Sequence, residues 1–220
     1  DPLHLSLNSP MIPEHIAQVP QMFPAVVGAL PPKVLAYELK YHPPTGGWFR
    51  PAGELRFGAV EVEVGRLWYS LVMLLRPNLI LETGTHEGYS TACIAAALRM
   101  LGTPAQRRLV TIDPEPLEQC WADTELAPHI SLLKKKSQEA AAELAGSVFD
   151  MLILDSDHHY DTIMDELILY EPMLKDGGVI LLHDVLFFDG VGKAVRQLAE
   201  NPRFEVVTLD RKSTRLNSSH

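Results

Sequence analysis

Residues 79–91 read LILETGTHEGYST, and this stretch carries the strongest structural signal in the chain. A short apolar strand passes through two glycines, Gly84 and Gly88, into a helix that starts at Tyr89. Such an apolar strand is typical of a parallel sheet covered on both faces. Glycines let the backbone pass close to a ligand, and the free N–H groups of a helix start attract an anion. The stretch therefore predicts a nucleotide-like cofactor at the carboxyl end of a strand.

The glycine spacing distinguishes between cofactors. A dinucleotide site usually shows G-x-G-x-x-G, whereas this turn reads E-x-G-x-x-x-G-Y-S, with His86 where a middle glycine would lie. The spacing argues against NAD. The stretch resembles the first motif of class I S-adenosylmethionine-dependent methyltransferases. Within it, Gly-Tyr-Ser at 88–90 resembles the corresponding part of this motif in the metal-dependent catechol and caffeoyl-CoA O-methyltransferases. A plain strand-turn-helix without a ligand is the alternative interpretation.

Composition limits the class of protein. A chain of 220 residues with 46% hydrophobic residues is long enough for one α/β domain with an appendage. The formal charge of −9 disfavours nucleic acid as a partner, and no apolar run is long enough to cross a membrane. Only Cys93 and Cys120 are present, each within a helical pattern, which fits a cytoplasmic protein without disulfides.

The two ends of the chain differ from its middle. Ten of the seventeen prolines lie in residues 1–51, so residues 1–57 are predicted to form a loop-rich appendage with short turns near 12–18 and 34–41. It is a candidate substrate lid or dimer contact, or a loosely packed leader. Residues 211–220 have no periodicity and look like translated vector sequence, and the start at Asp1 suggests a fragment or a processed product.

Between these ends, residues 58–210 alternate between strand and helix patterns. The predicted strands are 78–83, 108–113, 130–133, 149–154, 179–183 and 204–209; the predicted helices are one that ends before Pro77, then 89–101, 116–125, 138–145, 160–174 and 191–201. The alternation predicts an α/β fold with a doubly wound, mostly parallel sheet. The resemblance implies a Rossmann-like class I methyltransferase fold whose C-terminal hairpin is truncated after its first strand. The sheet edge left open is one that a second copy could cover, as a homodimer.

Residues at three successive strand ends are predicted to hold the cofactor. Asp113 ends the second strand, where a carboxylate can accept two hydrogen bonds from ribose hydroxyls, although it could instead be a helix cap. The resemblance implies that Ser137-Gln138 contacts adenine, that Glu82 holds the methionine ammonium, and that Ser90 meets the carboxylate. The predicted cofactor contacts are Glu82, Gly84, Thr85, Gly88, Tyr89, Ser90, Asp113, Ser137, Gln138 and Asp155.

Acidic residues and histidines follow the next two strands. The fourth strand runs into 155–160, Asp-Ser-Asp-His-His-Tyr, and the fifth into His183-Asp184. Carboxyl ends of adjacent parallel strands converge, and the gathered carboxylates would repel one another unless a cation neutralised them. Mg²⁺ is the divalent ion we expect, because it prefers oxygen ligands. Solvated polar turns are the alternative.

The resemblance implies metal carboxylates at Asp155 and Asp184. Catechol-type enzymes follow the second Asp with an Asn ligand, but here the residue is Val185. Macrocin-type sugar O-methyltransferases carry D-x-D and an acidic pair, which correspond to Asp155, Asp157 and His183-Asp184. We therefore predict Asp155, His183 and Asp184 as metal ligands. The nitrogen donor leaves Mn²⁺, Fe²⁺ or Zn²⁺ open.

Methyl transfer is an in-line displacement that needs a positioned hydroxyl and a proton acceptor. His158 lies three residues after Asp155, where catechol-type enzymes keep a Lys base, and Asp157 is the base if the sugar-type correspondence holds. The sequence thus predicts a metal-assisted O-methyltransferase that acts on a small hydroxylated substrate. Two alternatives are a metal-dependent hydroxylase-like or hydrolytic enzyme of the same fold, and a non-catalytic S-adenosylmethionine-binding protein.

Overall fold

The computed structural model describes residues 28–41 and 60–207. The predictions for the turn near 12–18, for the tail at 211–220 and for most of the appendage lie outside the described residues. Within the appendage, the short turn predicted near 34–41 is part of a ten-residue helix, α1, Pro32–Tyr41. Within the described ranges, no helix combines the length and the apolar character needed to cross a bilayer.

The remaining elements alternate as the sequence predicts, except that no α-helix separates β2 from β3. In chain order they are α2 Val62–Leu75, β1 Leu79–Thr83, α3 Tyr89–Leu101, β2 Arg108–Ile112, β3 Ile130–Leu133, α4 Ser137–Glu143, β4 Phe149–Leu154, α5 Tyr160–Tyr170, β5 Leu174–Leu182 and α6 Asp189–Ala199. The five strands lie in the order β3-β2-β1-β4-β5, and every neighbouring pair is parallel. The doubly wound α/β fold is therefore confirmed, and the carboxyl ends of all five strands lie at one edge.

Both faces of the sheet are covered, which explains why the strands are apolar without alternation. Successive side chains of a strand point to opposite faces, so Ile80 packs in one core and Leu81 in the other. The first core contains side chains of α1, α2 and α3, and the second contains side chains of α4, α5 and α6. This sandwich fixes the strands and leaves the connections at their carboxyl ends free to build a site.

The predicted helix at 116–125 is wrong. Residues 113–126 form turns, followed by a short 3-10 helix, Ala127–His129. Two of their backbone donors bond to the glycine turn: Leu117 N donates to His86 O at 3.1 Å and Cys120 N donates to Glu87 O at 3.0 Å. The backbone bonds between residues of this segment, such as Ala122 N to Gln119 O at 3.2 Å, close single turns. This segment therefore packs against the glycine turn as a loop.

The C-terminal predictions also need correction. The strand predicted at 204–209 is not formed over 204–207, where Phe204 N closes a turn on Asn201 O, and 208–209 lie outside the described residues. Helix α5 ends at Tyr170, four residues early, because Pro172 opens a 3-10 turn. Strand β5 begins at Leu174 and continues through Gly177-Gly178, which the sequence predicts as a turn. Among the described strands, β5 pairs only with β4.

Candidate functional site

The glycine turn between β1 and α3 is tightly packed against two neighbouring segments. Gly84 and Gly88 have φ of +85° and +76°, and His86 between them has φ of +48°. A Cβ on Gly84 would lie 2.0 Å from the carbonyl oxygen of Asp155, and one on Gly88 would lie 2.3 Å from Gln119 Oε1. Both positions therefore require glycine twice over, for φ and for space.

Asp113 joins the end of β2 to this turn. Its Oδ2 accepts a hydrogen bond from His86 N at 2.7 Å, and its Oδ1 accepts one from Glu115 N at 2.8 Å. Each carboxylate oxygen has a second lone pair, so both can accept a further donor. Asp113 thus bonds to backbone groups of the glycine turn and of its own loop, not to a helix start as the alternative interpretation suggested, and it retains the capacity to bind hydroxyls.

Glu82 is completely buried beneath the turn. Its oxygens accept hydrogen bonds of 2.6 Å each from the hydroxyls of Ser90, Thr91 and Thr111. Burial raises the pKa of Glu82 to about 7, against the opposing effect of these three hydroxyls. Thr85, also buried, lies 2.7 Å from the Thr111 hydroxyl. Glu82 and Ser90 are therefore hydrogen-bonded to each other, and Glu82 is also bonded to the buried hydroxyls of Thr91 and Thr111.

Tyr89 lies in the packing between α1 and α3. Its ring stacks on Tyr37 with centroids 5.9 Å apart, and its hydroxyl donates to Glu38 Oε1 at 2.6 Å. Glu38 is in turn paired with Arg66 at 2.7 Å, and both side chains are buried. The aromatic ring of Tyr89 therefore anchors α1 to the first turn of α3.

Ser137 and Gln138 begin α4, at the end of β3. Ser137 is half-buried and its hydroxyl donates to Glu166 Oε1 at 2.6 Å, whereas Gln138 is exposed. The predicted adenine contacts thus consist of one fixed side chain and one free side chain. Together with the glycine turn and Asp113, they lie at the carboxyl ends of three adjacent strands.

The ends of β4 and β5 bring together a cluster of carboxylates and imidazoles, which we call the acidic centre: Glu61, Asp155, His158, His183 and Asp184. His158 Nε2 lies 3.1 Å from Asp155 Oδ1 and 3.4 Å from Asp184 Oδ2. His183 Nδ1 lies 3.5 Å from the same Asp155 oxygen. On its other side, His183 Nε2 lies 3.2 Å from Glu61 Oε2.

The histidines neutralise the carboxylates. The hydrogen bond from Asp155 raises the pKa of His158. Burial works against the charge of His183, but Asp155 and Glu61 outweigh it and raise the pKa of His183 to about 10. The pKa of Asp155 is lowered by both histidines although burial opposes this, and burial raises the pKa of Asp184. At neutral pH His183 is thus an imidazolium between two acids.

Backbone strain coincides with this cluster. His158 and Asp184 have φ of +63° and +57°, a conformation that costs a side-chain-bearing residue on the order of 1–3 kcal/mol and concentrates at functional sites. The His158 ring also stacks on Phe188, with centroids 4.3 Å apart and an interplanar angle of 16°. The imidazole of His158 is therefore held by a carboxylate at its edge and an aromatic ring on its face.

The structure separates the two candidate bases. Asp157 is exposed, and its oxygens accept hydrogen bonds from His159 N at 3.0 Å and from Thr162 Oγ1 at 2.9 Å, so its side chain is bonded beside the start of α5 and outside the acidic centre. The sequence analysis missed Glu61, which precedes α2 and reaches His183 only through the tertiary fold. No local motif marks Glu61.

The donor atoms of the acidic centre suit a divalent cation once the histidines are neutral. Ligand atoms of Asp155, His158 and Asp184 lie within 4.8 Å of one another, and so do those of Glu61, His183 and Asp184. Each set mixes nitrogen and oxygen donors, which first-row transition metals accept as well as Mg²⁺. His183, predicted as a ligand with Asp155 and Asp184, shares a set with Asp184 and Glu61, whereas Asp155 belongs to the other set.

Comparisons with known proteins point to one enzyme class. A family described as "Methyltransferase domain" matches residues 81–185. The rhamnosyl O-methyltransferase of Mycobacterium bovis is 31% identical over 123 residues, 50% of this chain and 46% of that protein. The catechol O-methyltransferase of Mycobacterium tuberculosis is 21% identical over 72% of this chain and 76% of that protein. This chain therefore spans about half the length of the rhamnosyl enzymes that it matches.

A solved structure agrees with these relatives. The O-methyltransferase TomG from Streptomyces achromogenes, involved in tomaymycin synthesis and solved in complex with SAM, is 26% identical. It aligns with a TM-score of 0.54 over 65% of this chain and 70% of its own. Residues 81–185, which the methyltransferase family matches, include the glycine turn, Asp113, Ser137-Gln138, Asp155 and Asp184. Residues 81–185 are therefore similar to a methyltransferase family, and the chain shares its fold with an O-methyltransferase that was solved in complex with SAM.

Proposed function

We propose that this chain transfers a methyl group from S-adenosylmethionine to a hydroxyl of a small hydroxylated substrate. The observation that carries the proposal is the convergence of the glycine turn, Asp113 and Ser137-Gln138 with the acidic centre, all at the carboxyl ends of the parallel strands. The names of the relatives favour methyl transfer over the hydroxylase-like, hydrolytic and non-catalytic alternatives.

In this proposal the cofactor lies across β1, β2 and β3. Asp113 binds the ribose hydroxyls with the lone pairs that its backbone contacts leave over, and Gln138 reaches the adenine from the first turn of α4. The glycine turn and the N-terminus of α3 face the methionine carboxylate. Glu82 supports this part of the site indirectly by holding Ser90, because its buried carboxylate is hydrogen-bonded to the Ser90 hydroxyl.

The acidic centre receives the acceptor hydroxyl. We assign the general base to His158, whose imidazole lies between Asp155 and Asp184, and not to Asp157, whose oxygens accept hydrogen bonds from His159 N and Thr162 Oγ1. Asp155 orients the ring, and neutral His158 takes the proton as the hydroxyl oxygen attacks the methyl group. A divalent cation, Mg²⁺ in our proposal, would be held by Asp155 and Asp184 and would lower the pKa of the hydroxyl.

Two measurements test this function. Calorimetric titration with S-adenosylmethionine should show binding to the wild type. Asp113→Ala, which removes charge-assisted hydrogen bonds worth about 1.5–3 kcal/mol each, should abolish it, whereas Glu118→Ala, an exposed matched control, should bind like the wild type. Methyl release from labelled cofactor with catechols or sugars, with and without a chelator, then tests turnover and metal. Absence of heat with the intact wild-type chain would overturn the proposal.

Asp155→Ala separates the two halves of the site. It should retain cofactor binding to a large extent, lose turnover and bind Mg²⁺ more weakly, because Asp155 both pairs with His158 and belongs to a candidate ligand set. Full turnover in this variant would contradict the role given to the acidic centre.

A further inference from the structure

We infer that Glu166 is a positioning residue for the cofactor, because its buried carboxyl group fixes the end of β1 relative to the start of α4. The inference rests on the proposed function, in which these two segments hold opposite ends of S-adenosylmethionine. Glu166 lies on α5, outside every motif that the sequence analysis uses.

The contacts of Glu166 reach both segments. Its Oε1 accepts the Ser137 hydroxyl at 2.6 Å, and its Oε2 accepts the Thr83 hydroxyl at 3.0 Å. Thr83 is the last residue of β1 and directly precedes Gly84, and Ser137 directly precedes Gln138. One carboxyl group therefore links the segment that leads into the glycine turn to the segment that carries the predicted adenine contacts.

A second residue of α5 strengthens the link. Tyr170 follows Glu166 by one helical turn, so both side chains lie on the same face, and its hydroxyl donates to the backbone carbonyl of Ser137 at 2.6 Å. Tyr170 and Glu166 are both completely buried. Ser137 is thus fixed by its side chain and by its backbone, both from the same helix.

Core packing alone does not account for a carboxyl group at this position. Glu166 is wholly buried and forms no ion pair with the residues of 28–41 and 60–207, and burial raises the pKa of Glu166. Burying a polar group is costly unless its hydrogen bonds are made. An apolar side chain would avoid that cost but would leave the Ser137 and Thr83 hydroxyls without their present acceptor.

Positioning of this kind has a direct consequence for affinity. The cofactor must reach from Gly84 to Gln138, so a shift of either segment misaligns contacts at both of its ends, and small misplacements in a binding site reduce its performance strongly. Glu166 therefore acts on the cofactor through Thr83 and Ser137 and not by contact.

The test measures the dissociation constant of S-adenosylhomocysteine by calorimetry on the full chain, together with the melting temperature of each variant. Glu166→Leu and Ser137→Ala should each weaken binding about tenfold, equivalent to about 1.4 kcal/mol. The double variant should be no weaker than the stronger single effect, because both changes break the same link. Glu166→Gln keeps an acceptor oxygen and should stay within about threefold of the wild type.

The matched control is Asp165→Asn, which removes an exposed carboxylate from the neighbouring position of α5 and should change neither quantity. A lower melting temperature with a dissociation constant within twofold of the wild type in Glu166→Leu would overturn the inference and make Glu166 merely structural. If that variant does not fold, Thr83→Val, which removes the other hydroxyl bonded to Glu166 and is not a predicted cofactor contact, decides in the same way. A wild-type chain that does not bind S-adenosylhomocysteine would overturn the proposed function itself.

Discussion

Substitution of Gly84 by alanine provides the sharpest test of how the glycine turn is built. A Cβ at this position would lie 2.0 Å from the carbonyl oxygen of Asp155 and 3.2 Å from Ser156 Cα. Both atoms belong to the backbone, so no side chain can rotate away. The turn and the β4 loop would have to separate by about 1 Å to restore a normal contact.

Gly146 supplies a matched control. Its φ of +87° equals that of Gly84, +85°, within two degrees, but an added Cβ would meet nothing within 4 Å. Gly146→Ala therefore measures the conformational cost alone, about 1–2 kcal/mol. Gly84→Ala should cost about 1–3 kcal/mol more, the usual effect of overpacking in a close-packed region.

Urea denaturation of the two variants gives the difference directly, and titration with S-adenosylhomocysteine gives its effect on the site. Gly84→Ala should lose about 2–5 kcal/mol of unfolding free energy, the sum of the two costs, and its affinity should fall at least tenfold. Gly146→Ala, at an exposed position after α4, should bind normally. Equal stability and equal binding in the two variants would refute the close approach of the turn to Asp155.

Three further predictions concern buried or stacked groups. Burial raises the pKa of Glu82 to about 7, so the stability that its protonated form contributes is complete below pH 4.5 and is lost as the pH rises to about 7. Glu82→Gln should remove this loss of about 3 kcal/mol from the free energy of unfolding measured against pH. Phe188→Ala should lower kcat/KM about fivefold, because the ring stacked on His158 contributes about 1 kcal/mol. Glu61→Gln should lower the pKa of His183, now about 10, in an NMR titration.

Each of these has its own control. Glu200→Gln changes an exposed acid and should leave the pH dependence of stability as in the wild type; an unchanged curve for the Glu82 variant would contradict the effect of burial. Phe187→Ala removes a ring that is 75% exposed and should have the smaller kinetic effect. Glu63→Gln, in the first turn of α2, should leave the His183 titration unchanged. An equal shift of the His183 pKa in the Glu61 and Glu63 variants would rule out the contact with Glu61.

Local sequence determines the features that could be predicted. The strand-turn-helix of residues 79–91 is encoded by apolar residues, two glycines and a helix start that are contiguous in the chain, so it could be predicted from local sequence. The alternation of strands and helices then orders the sheet, because parallel crossovers follow a single hand. The positions of Asp113, Asp155 and Asp184 at strand ends follow from that order.

Tertiary contacts determine what could not be predicted. Residues 116–125 have helical spacing of apolar side chains, but two of their backbone donors, Leu117 N and Cys120 N, bond to the glycine turn, which no local pattern reveals. Glu61 meets His183 across the fold, and Glu166 meets Thr83 and Ser137 in the same way. Carboxylates far from any motif give no sequence signal of such partners.

The choice between the two candidate bases depends on a single residue of spacing. Asp157 and His158 are adjacent, yet the carboxylate of Asp157 is bonded to the Thr162 hydroxyl outside the acidic centre. His158 instead has a left-handed backbone, and its imidazole contacts Asp155 and Asp184. The resemblance to catechol-type enzymes favours His158 as the base, and the resemblance to sugar-type enzymes favours Asp157. Resemblance alone therefore leaves both residues open. Backbone conformation is the property that separates them.

The acidic centre also changes the argument for a metal. From sequence, gathered carboxylates require a cation, and a divalent ion is the simplest one. In the structure two imidazoles already lie among Glu61, Asp155 and Asp184, and the raised pKa of each favours its protonated, positively charged form. A metal and these protons would compete for the same carboxylates, since metal ligands must be deprotonated. Protonated His158 cannot accept a proton from the substrate, so a cation at Asp155 and Asp184 would favour its neutral, basic form. Metal assistance and the base role of His158 therefore support each other, and a chelator should affect both together.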